Sequence, residues 1–222
     1  MNPNKLLRFA NLFYSLAAGE ELPKDTDNLK QMLSNIESLE TYNARKKYAE
    51  RNLEHLSSGS SRIVYLTPAK TIVKLAKNDK GIAQNKVESN PKMQSKYLNK
   101  IISSAKNNAW LETHYLDKIT EKDFEEMTGL KFEEFGDSLR YGLKDVSGNK
   151  DTEKPDDFDK VSKTDIYKEL KDIGEKFKLL PGDLARISSW GTKDGHPILI
   201  DAGLTRDIFE EFYEDSSSWY NS

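Results

Sequence analysis

Residues 56–76 read LSSGSSRIVYLTPAKTIVKLA, and this stretch decides much of the fold prediction. A small polar loop around Gly59 passes abruptly into a β-branched run at residues 62–66. A second such run follows at residues 71–75, after Thr-Pro-Ala-Lys. Two apolar runs separated by a short turn sequence are typical of a β-hairpin. The polar loop before the hairpin is either an ordinary connection or a loop built to lie over phosphates, because glycine lets backbone N–H groups approach an anion.

The composition suits a globular chain and excludes several kinds of site. The chain has 222 residues, of which 36% are hydrophobic and 32% charged, and its net charge is −3. An acidic balance argues against a dedicated nucleic-acid binder, which normally carries a basic excess. There is no cysteine, so disulfides, thiolate zinc sites and cysteine nucleophiles are excluded. The three histidines lie far apart in sequence, which disfavours a histidine-rich metal site and a Ser-His-Asp triad.

The hydropathy pattern predicts a protein without a membrane span. No apolar run approaches the roughly 20 residues that cross a bilayer as a helix. Residues 1–23 contain a short apolar stretch, but they lack a strongly basic start and their apolar residues recur at helical spacing. We interpret them as an amphipathic helix rather than a signal peptide. The expected location is cytoplasmic, with neither a membrane nor a nucleic acid as partner.

Outside the hairpin the pattern is mainly helical, which predicts an α+β protein. Asn78 or Asp79 could cap a helix towards residue 89, and Thr120 to Asp123 form a capping box. The remaining predicted helices cover residues 4–18, 27–54, 93–104, 131–143, 164–178 and a segment near 205–214. The remaining predicted strands cover residues 109–116 and 197–200, and the predicted loops cover residues 145–163 and 183–190.

Four ionisable residues follow the loop in a meaningful order. Lys74 lies among apolar residues in TIVKLA, so its charge is partly desolvated and needs an anion. Glu88 lies on the next predicted helix and could hold that lysine. Asp183 follows a Pro-Gly break, and Asp201 ends an apolar strand, where it could hold a cation. Each residue alone has an ordinary structural explanation, such as a surface lysine or a turn-capping aspartate. The order of all four along the chain favours a functional site.

The order of these residues resembles that of the protein-kinase family. Lys74 in IVKLA resembles the strand-three lysine that contacts the α- and β-phosphates, and Glu88 in QNKVES resembles its partner on helix C. Asp183 in GDLARIS resembles the catalytic-loop aspartate. The Asp-Ala-Gly that begins at Asp201 resembles the metal-binding Asp-Phe-Gly motif. The chain is also similar to uncharacterised kinase-like proteins of large bacteriophages.

This resemblance covers about residues 56–204 and implies a fold and cofactors. Residues 56–116 would form a small β-rich N-lobe with helix C, and residues 117–222 a reduced, mainly helical C-lobe. Residues 1–55 would form an N-terminal helical extension. The implied cofactors are ATP and Mg²⁺.

The resemblance also implies roles for individual residues. Lys74, Glu88 and Asp183 would be catalytic, and Asp201 and Ser188 would bind the metal. The nucleotide contacts would come from the loop, the hairpin and the hinge after the gatekeeper Thr113: Ser58, Gly59, Ser60, Val64, Thr113, His114 and Leu116.

The chain departs from the kinase pattern at several positions. Of the three loop glycines only Gly59 remains, since Ser57 and Arg62 replace the other two. Ser188 stands where a kinase carries the asparagine for a second Mg²⁺, and a serine hydroxyl is a weaker ligand. Pro-Gly replaces the His-Arg before Asp183, as in small-molecule kinases whose loop reads Gly-Asp.

The C-terminal part of the pattern leaves the function open. Only residues 204–222 follow the Asp-Ala-Gly, which is too few for the activation segment and helices that hold a peptide substrate. The first candidate is an ATP- and Mg²⁺-dependent phosphotransferase acting on a protein segment or a small molecule. The second is an inactive pseudokinase that binds a protein partner of unknown identity, and Trp219 and Tyr220 would add docking surface. The third is a bacteriophage structural component. A phage-encoded protein would act in the host cytoplasm, in host takeover or in the virion.

Overall fold

The computed structural model of the protein describes residues 25–149 and 151–213. The helix expected over residues 4–18 and the aromatic tail with Trp219 and Tyr220 lie outside these residues. The described part is a mixed α+β structure, so the fold class predicted from the pattern is confirmed at that level. None of its helices is both long and apolar enough to cross a membrane.

Helices and strands alternate irregularly along the described chain. The α-helices are α1 (Asp25–Ser38), α2 (Tyr42–Asn52), α3 (Asp79–Glu88), α4 (Glu121–Thr128), α5 (Phe132–Gly142), α6 (Lys144–Ser147), α7 (Phe158–Val161), α8 (Asp165–Phe177), α9 (Pro181–Leu184) and α10 (Arg206–Phe212). The strands are β1 (Glu54–Ser58), β2 (Arg62–Leu66), β3 (Thr71–Ala76), β4 (Ile101–Ser104), β5 (Trp110–His114), β6 (Asp117–Lys118), β7 (Trp190–Lys193) and β8 (His196–Leu199). A 3₁₀ turn covers Ile187–Ser189.

The strands form two antiparallel sheets. The first has five strands in the order β1-β2-β3-β5-β4, and the second has three in the order β6-β7-β8. The predicted hairpin is confirmed as β2 and β3, with Val64 opposite Lys74 and Arg62 opposite Ala76. Because cross-strand partners lie on the same face and successive residues alternate, Arg62, Val64 and Lys74 share one face of the sheet.

The opposite face of the same hairpin forms a core with the first two helices. Ile63, Tyr65, Val73 and Leu75 are all buried there. They pack in one apolar cluster with residues of α1 and α2, among them Leu29, Leu33, Ile36 and Ala49. The segment predicted as one helix over residues 27–54 is therefore two helices, because the chain turns at residues 39–41 and Thr41 caps α2. This packing leaves the Lys74 face of the sheet free for other contacts.

Helix α3 lies against the hairpin and is held there at its first turn. The side chain of Asn78 accepts a hydrogen bond from the Gly81 N–H and caps the helix, as predicted. A Cβ atom at Gly81 would lie 2.2 Å from the Ser61 carbonyl oxygen, so only glycine permits this approach. The close contact fixes how far Glu88, at the other end of α3, stands from the sheet.

A second core holds the helical part of the chain together. Phe124 of α4 and Phe135 of α5 are fully buried against Trp190 of β7, with ring centroids 5.5 and 5.8 Å from the indole. The capping box of α4 is confirmed, with the Thr120 and Asp123 side chains each bonded to the other's backbone N–H. Apolar residues of α8 and Leu199 of β8 complete this cluster.

Three further local predictions were wrong. Residues 93–104 are turns followed by β4, because Ile101 to Ser104 alternate in burial and pair with β5. The loop expected over residues 145–163 contains the short helices α6 and α7. The loop expected over residues 183–190 contains the second half of α9, a 3₁₀ turn and the start of β7.

Candidate functional site

A cleft of about 760 Å³ lies between the Lys74 face of the sheet and the segments that carry residues 183–189 and 200–204. Its walls combine the polar turn before β2, the end of β5 and the residues after β8. Of the residues assigned to a site from the sequence, these line it: Gly59, Ser60, Val64, Lys74, Thr113, His114, Leu116, Asp183, Ser188 and Asp201. Ser58 and Glu88 are not in its wall.

Lys74 and Glu88 form a buried ion pair behind the cleft. The Lys74 Nζ lies 2.7 Å from Glu88 Oε2, and both side chains are 7% exposed. The same ammonium donates to the Ile200 carbonyl oxygen at 2.7 Å, one residue before Asp201. The lysine therefore ties the sheet both to α3 and to the segment that follows β8.

Arg62 extends this pair into a four-membered network. Its Nη1 lies 2.5 Å from Glu88 Oε1, so the two carboxylate oxygens of Glu88 serve two different cations. Its Nη2 donates to Asp201 Oδ1, and Lys74 Nζ lies 3.6 Å from the same oxygen. Two cations and two carboxylates thus meet where the hairpin, α3 and the segment after β8 converge.

Asn85 holds the network in place from within α3. Its Oδ1 accepts from Arg62 Nη1 at 3.3 Å, and its Nδ2 donates to the Asn108 carbonyl at 2.9 Å. Asn85 is completely buried, and it lies three residues before Glu88, so the two side chains share one helix face. The sequence reasoning did not identify Asn85.

The charges within the network shift the pKa values of Arg62 and Asp201. Burial disfavours the charge on Arg62, but Asp201 and Glu88 outweigh burial and raise the pKa of the guanidinium further. Desolvation works to raise the pKa of the Asp201 carboxyl, but Arg62 and Lys74 outweigh it and hold that pKa well below its usual range. Arg62 and Asp201 are therefore both charged at neutral pH.

Backbone bonds bring Asp201 to this position. The Ile200 N–H donates to the Ser189 carbonyl at 2.8 Å, and the Leu199 N–H donates to the Tyr97 carbonyl at 2.8 Å. A Cβ atom at Gly203 would lie 2.7 Å from Glu88 Oε1, so glycine is needed for the chain to pass this close to α3. The segment after β8 is thus locked against both the sheet and the helix.

Asp183 faces the same cleft from α9. Burial raises the pKa of its carboxyl, and the charge of Asp201 raises it further, against smaller lowering effects of Arg186 and Arg62. Arg186 Nη1 lies 3.8 Å from Asp183 Oδ1, and the Asp183 side chain is 29% exposed. The carboxylate is therefore accessible and weakly paired, which suits a group that accepts a proton.

We expect Asp183→Asn to increase stability at pH 7. A carboxyl with a raised pKa in the folded state costs stability once the pH exceeds that pKa, and the cost disappears as the pH falls below the unfolded pKa. Thermal unfolding between pH 3 and 7 should therefore give the variant a higher Tm at the neutral end only. Asp172→Asn, at an exposed position of α8, is the control and should not change the pH profile. A lower Tm for Asp183→Asn at pH 7 would contradict the expectation.

The turn before β2 is held by hydrogen bonds to its own backbone groups. The Gly59 N–H donates to the Arg62 carbonyl at 2.9 Å, so it is not available to a phosphate as the turn stands. Lys77 Nζ lies 2.9 Å from the Gly59 carbonyl oxygen and 3.3 Å from Ser58 Oγ. The Ser58 side chain therefore helps to hold the turn, whereas its neighbour Ser57 lines the cleft.

Some of the polar groups at the end of β5 are also hydrogen-bonded within the protein. The Thr113 hydroxyl donates to the Lys100 carbonyl at 2.9 Å, and Asn99 Nδ2 donates to the His114 carbonyl at 2.8 Å. Burial lowers the pKa of His114, with further lowering by Lys193 and Lys100. The backbone groups of residues 115–116 are the part of this segment that remains to hydrogen-bond a nucleotide base.

The residues expected to hold magnesium fit that ion poorly, because one oxygen of the Asp201 carboxylate is already engaged by protein cations. Asp201 Oδ1 is bonded to Arg62 and lies beside Lys74, and Ser188 offers only a hydroxyl. A divalent cation on this carboxylate would lie next to two protein cations, and unit charges ~4 Å apart repel by about 4 kcal/mol near a protein surface. Within residues 25–149 and 151–213, no group of three acidic or histidine side chains could hold a metal ion.

Arg62 is the main site residue that the sequence reasoning missed. In the kinase pattern, Arg62 only replaces a loop glycine. The hairpin pattern held a usable signal, because pairing Val64 with Lys74 places Arg62 diagonally beside the lysine on the same face. Its contact with Asp201, which lies 139 residues away, has no local signal.

The chain has a weak structural likeness to an aminoglycoside phosphotransferase, a protein with a kinase-like fold. The matched structure is the ternary complex of streptomycin, ATP and APH(2″)-IIa. Sequence identity is 13%, the match covers 72% of this chain and 70% of that chain, and the TM-score is 0.34. No protein-family model matches the chain, and no curated protein matches it in sequence.

Proposed function

We propose that the protein binds a nucleoside triphosphate, with ATP as the candidate, in the cleft beside Lys74, and that its activity is of the kinase type. The observation that carries the proposal is the buried Lys74–Glu88 pair, in which the ammonium lies 2.7 Å from the carboxylate and Lys74 lines a cleft large enough for a nucleotide. A lysine fixed in this way is a preorganised positive charge for phosphate oxygens.

The other walls of the cleft suit the remaining parts of a nucleotide. Val64, Ile72 and Leu204 supply apolar surface for a base, and the backbone after His114 supplies hydrogen-bonding groups. The phosphates would then extend towards Lys74 and Arg62. This division is typical of ligand pockets, which are mainly apolar with a few placed polar groups.

Asp183 would act on the second substrate. In phosphoryl transfer the β–γ P–O bond breaks and a new P–O bond forms to the acceptor hydroxyl, whose proton must leave. The accessible, weakly paired carboxylate of Asp183 could accept that proton, and its raised pKa brings it nearer to a base that works at neutral pH. The acceptor would be a small molecule or an exposed protein segment.

Filling the cleft should weaken nucleotide binding while every member of the ion-pair network keeps its side chain. Val64 is half-buried in the cleft wall, and Val64→Trp would occupy the space of the base. We expect isothermal titration calorimetry to detect ATP binding to the wild type and a loss of at least about tenfold in affinity in the variant, since steric exclusion removes most base contacts.

The matched control is Ile102→Trp, at an exposed position on β4 outside the cleft wall. It introduces the same indole ring on the same sheet and should leave the ATP affinity unchanged. Equal ATP affinity in Val64→Trp and in the wild type would place the ligand elsewhere. No ATP binding to the wild type would refute the proposal.

A second candidate function is a kinase-like module that binds a protein partner without catalysing transfer. The contact of Arg62 with Asp201 favours it, because that contact occupies one oxygen of the carboxylate on which a kinase would rely for its metal. In the bacteriophage context that the sequence resemblance suggests, such a module would serve host takeover or the virion. Turnover separates the two candidates, since only the phosphotransferase would convert ATP to ADP in an Asp183-dependent manner.

A further inference from the structure

A fixed cation stands at the carboxylate that would otherwise attract a metal ion. The Arg62 side chain is 7% exposed, yet it reaches the cleft wall and bonds to Asp201 Oδ1. A guanidinium carries five N–H donors in a rigid fork. The described contacts of Arg62 use donors on both terminal nitrogens, to Asn85 and Glu88 from Nη1 and to Asp201 from Nη2.

The surroundings of Arg62 hold it in this position. Glu88 Oε1 and Asn85 Oδ1 accept from Nη1, and Arg62 begins a strand that is paired on both sides, with β1 and β3. Removing the guanidinium from Glu88 would leave a buried carboxylate with only Lys74 to balance it. The arginine is therefore part of the framework and not a mobile surface group.

We propose that Arg62 is the counter-cation of the triphosphate in this site, so that the protein binds ATP without a divalent metal ion. The inference rests on the proposed nucleotide binding and specifies how the phosphate charge is neutralised. Arg62 and Lys74 place two cations at the end of the cleft, and both lie at Asp201 Oδ1, so a divalent ion on that oxygen would face two positive charges. An arginine fork is well suited to phosphate oxygens.

The test is calorimetric titration of the full chain with ATP, once in EDTA and once with excess Mg²⁺. The readout is affinity, so no turnover is needed. We expect the dissociation constant in EDTA to equal that in Mg²⁺ within about threefold, a difference below roughly 0.7 kcal/mol. Binding that occurs only with Mg²⁺ would overturn the inference and leave the proposed function standing. Absence of binding in both buffers would overturn the proposed function and this inference with it.

A variant of the arginine sharpens the test. Arg62→Met removes the cation, keeps a long apolar side chain, and frees Asp201. We expect its affinity for ATP in EDTA to fall by about tenfold or more, as for a lost charge-assisted hydrogen bond. We also expect Mg²⁺ to restore part of that loss. An unchanged affinity in EDTA, in a variant with a native circular dichroism spectrum, would overturn the inference.

Two controls keep the variant interpretable. Arg51→Gln removes an exposed arginine of α2 outside the cleft wall and should bind ATP as the wild type does in both buffers. If Arg62→Met does not fold, the comparison of EDTA with Mg²⁺ in the wild type still decides the question.

Discussion

Glu88→Gln is expected to destabilise the protein by about 3–5 kcal/mol, the usual effect of removing one partner from a buried ion pair. The carboxylate binds Arg62 through one oxygen and Lys74 through the other, and all three side chains are 7% exposed. Glutamine keeps the shape, but an NH₂ group, which only donates, replaces one of the two accepting oxygens. One of the two cations would therefore face an N–H group in a buried place. Urea unfolding followed by circular dichroism measures the effect.

The control for this variant is Glu126→Gln on α4. Glu126 also pairs with a lysine, with 3.2 Å between Lys122 Nζ and its Oε1, but both side chains are mostly exposed. Because exposed pairs contribute little, its change in unfolding free energy should be below about 1 kcal/mol. A similarly small change in Glu88→Gln would mean that the buried network does not form in solution.

The same network explains why local sequence reasoning reached only part of the site. The hairpin could be predicted because two β-branched runs and a turn lie within 20 consecutive residues, and the position of Glu88 followed from a capped helix. The pairing of Arg62 with Asp201 depends instead on how β8 and the following segment dock against the sheet. No pattern in the sequence near either residue encodes that docking.

The wrong secondary-structure predictions have a similar cause. Residues 101–104 read IISS, a run too short for its period to be decided, and pairing with β5 makes it a strand. The break after α1 likewise depends on packing, because α1 and α2 must both lie on the same sheet face. Local propensity was overridden in each case by a contact with a distant segment.

Trp190→Ala should destabilise the protein by about 3–5 kcal/mol, since it removes a fully buried indole from the centre of the second core. The ring contacts Phe124, Phe132 and Phe135, and its Nε1 donates to the Leu184 carbonyl at 2.9 Å. The native baseline in chemical denaturation should also slope, and the unfolding transition should become less cooperative, if α4 and α5 loosen around the cavity.

Two tryptophan-to-phenylalanine variants separate the hydrogen bond from the packing. Trp190→Phe leaves the Leu184 carbonyl unpaired and should cost about 1–3 kcal/mol beyond the lost volume. Trp110 serves as the comparison, because it is also buried, with 5% of its surface exposed, but its Nε1 has no partner among the described residues. Trp110→Phe should therefore cost less than Trp190→Phe.

The tryptophan at position 190 also links stability to the proposed activity. Leu184 follows Asp183 directly, so the indole hydrogen bond fixes the short helix that presents this aspartate to the cleft. We expect Trp190→Phe to weaken any Asp183-dependent turnover of ATP more than it weakens ATP binding, which depends on the opposite wall. Equal losses in binding and turnover would indicate instead that Trp190 supports the cleft as a whole and has no particular role in positioning Asp183.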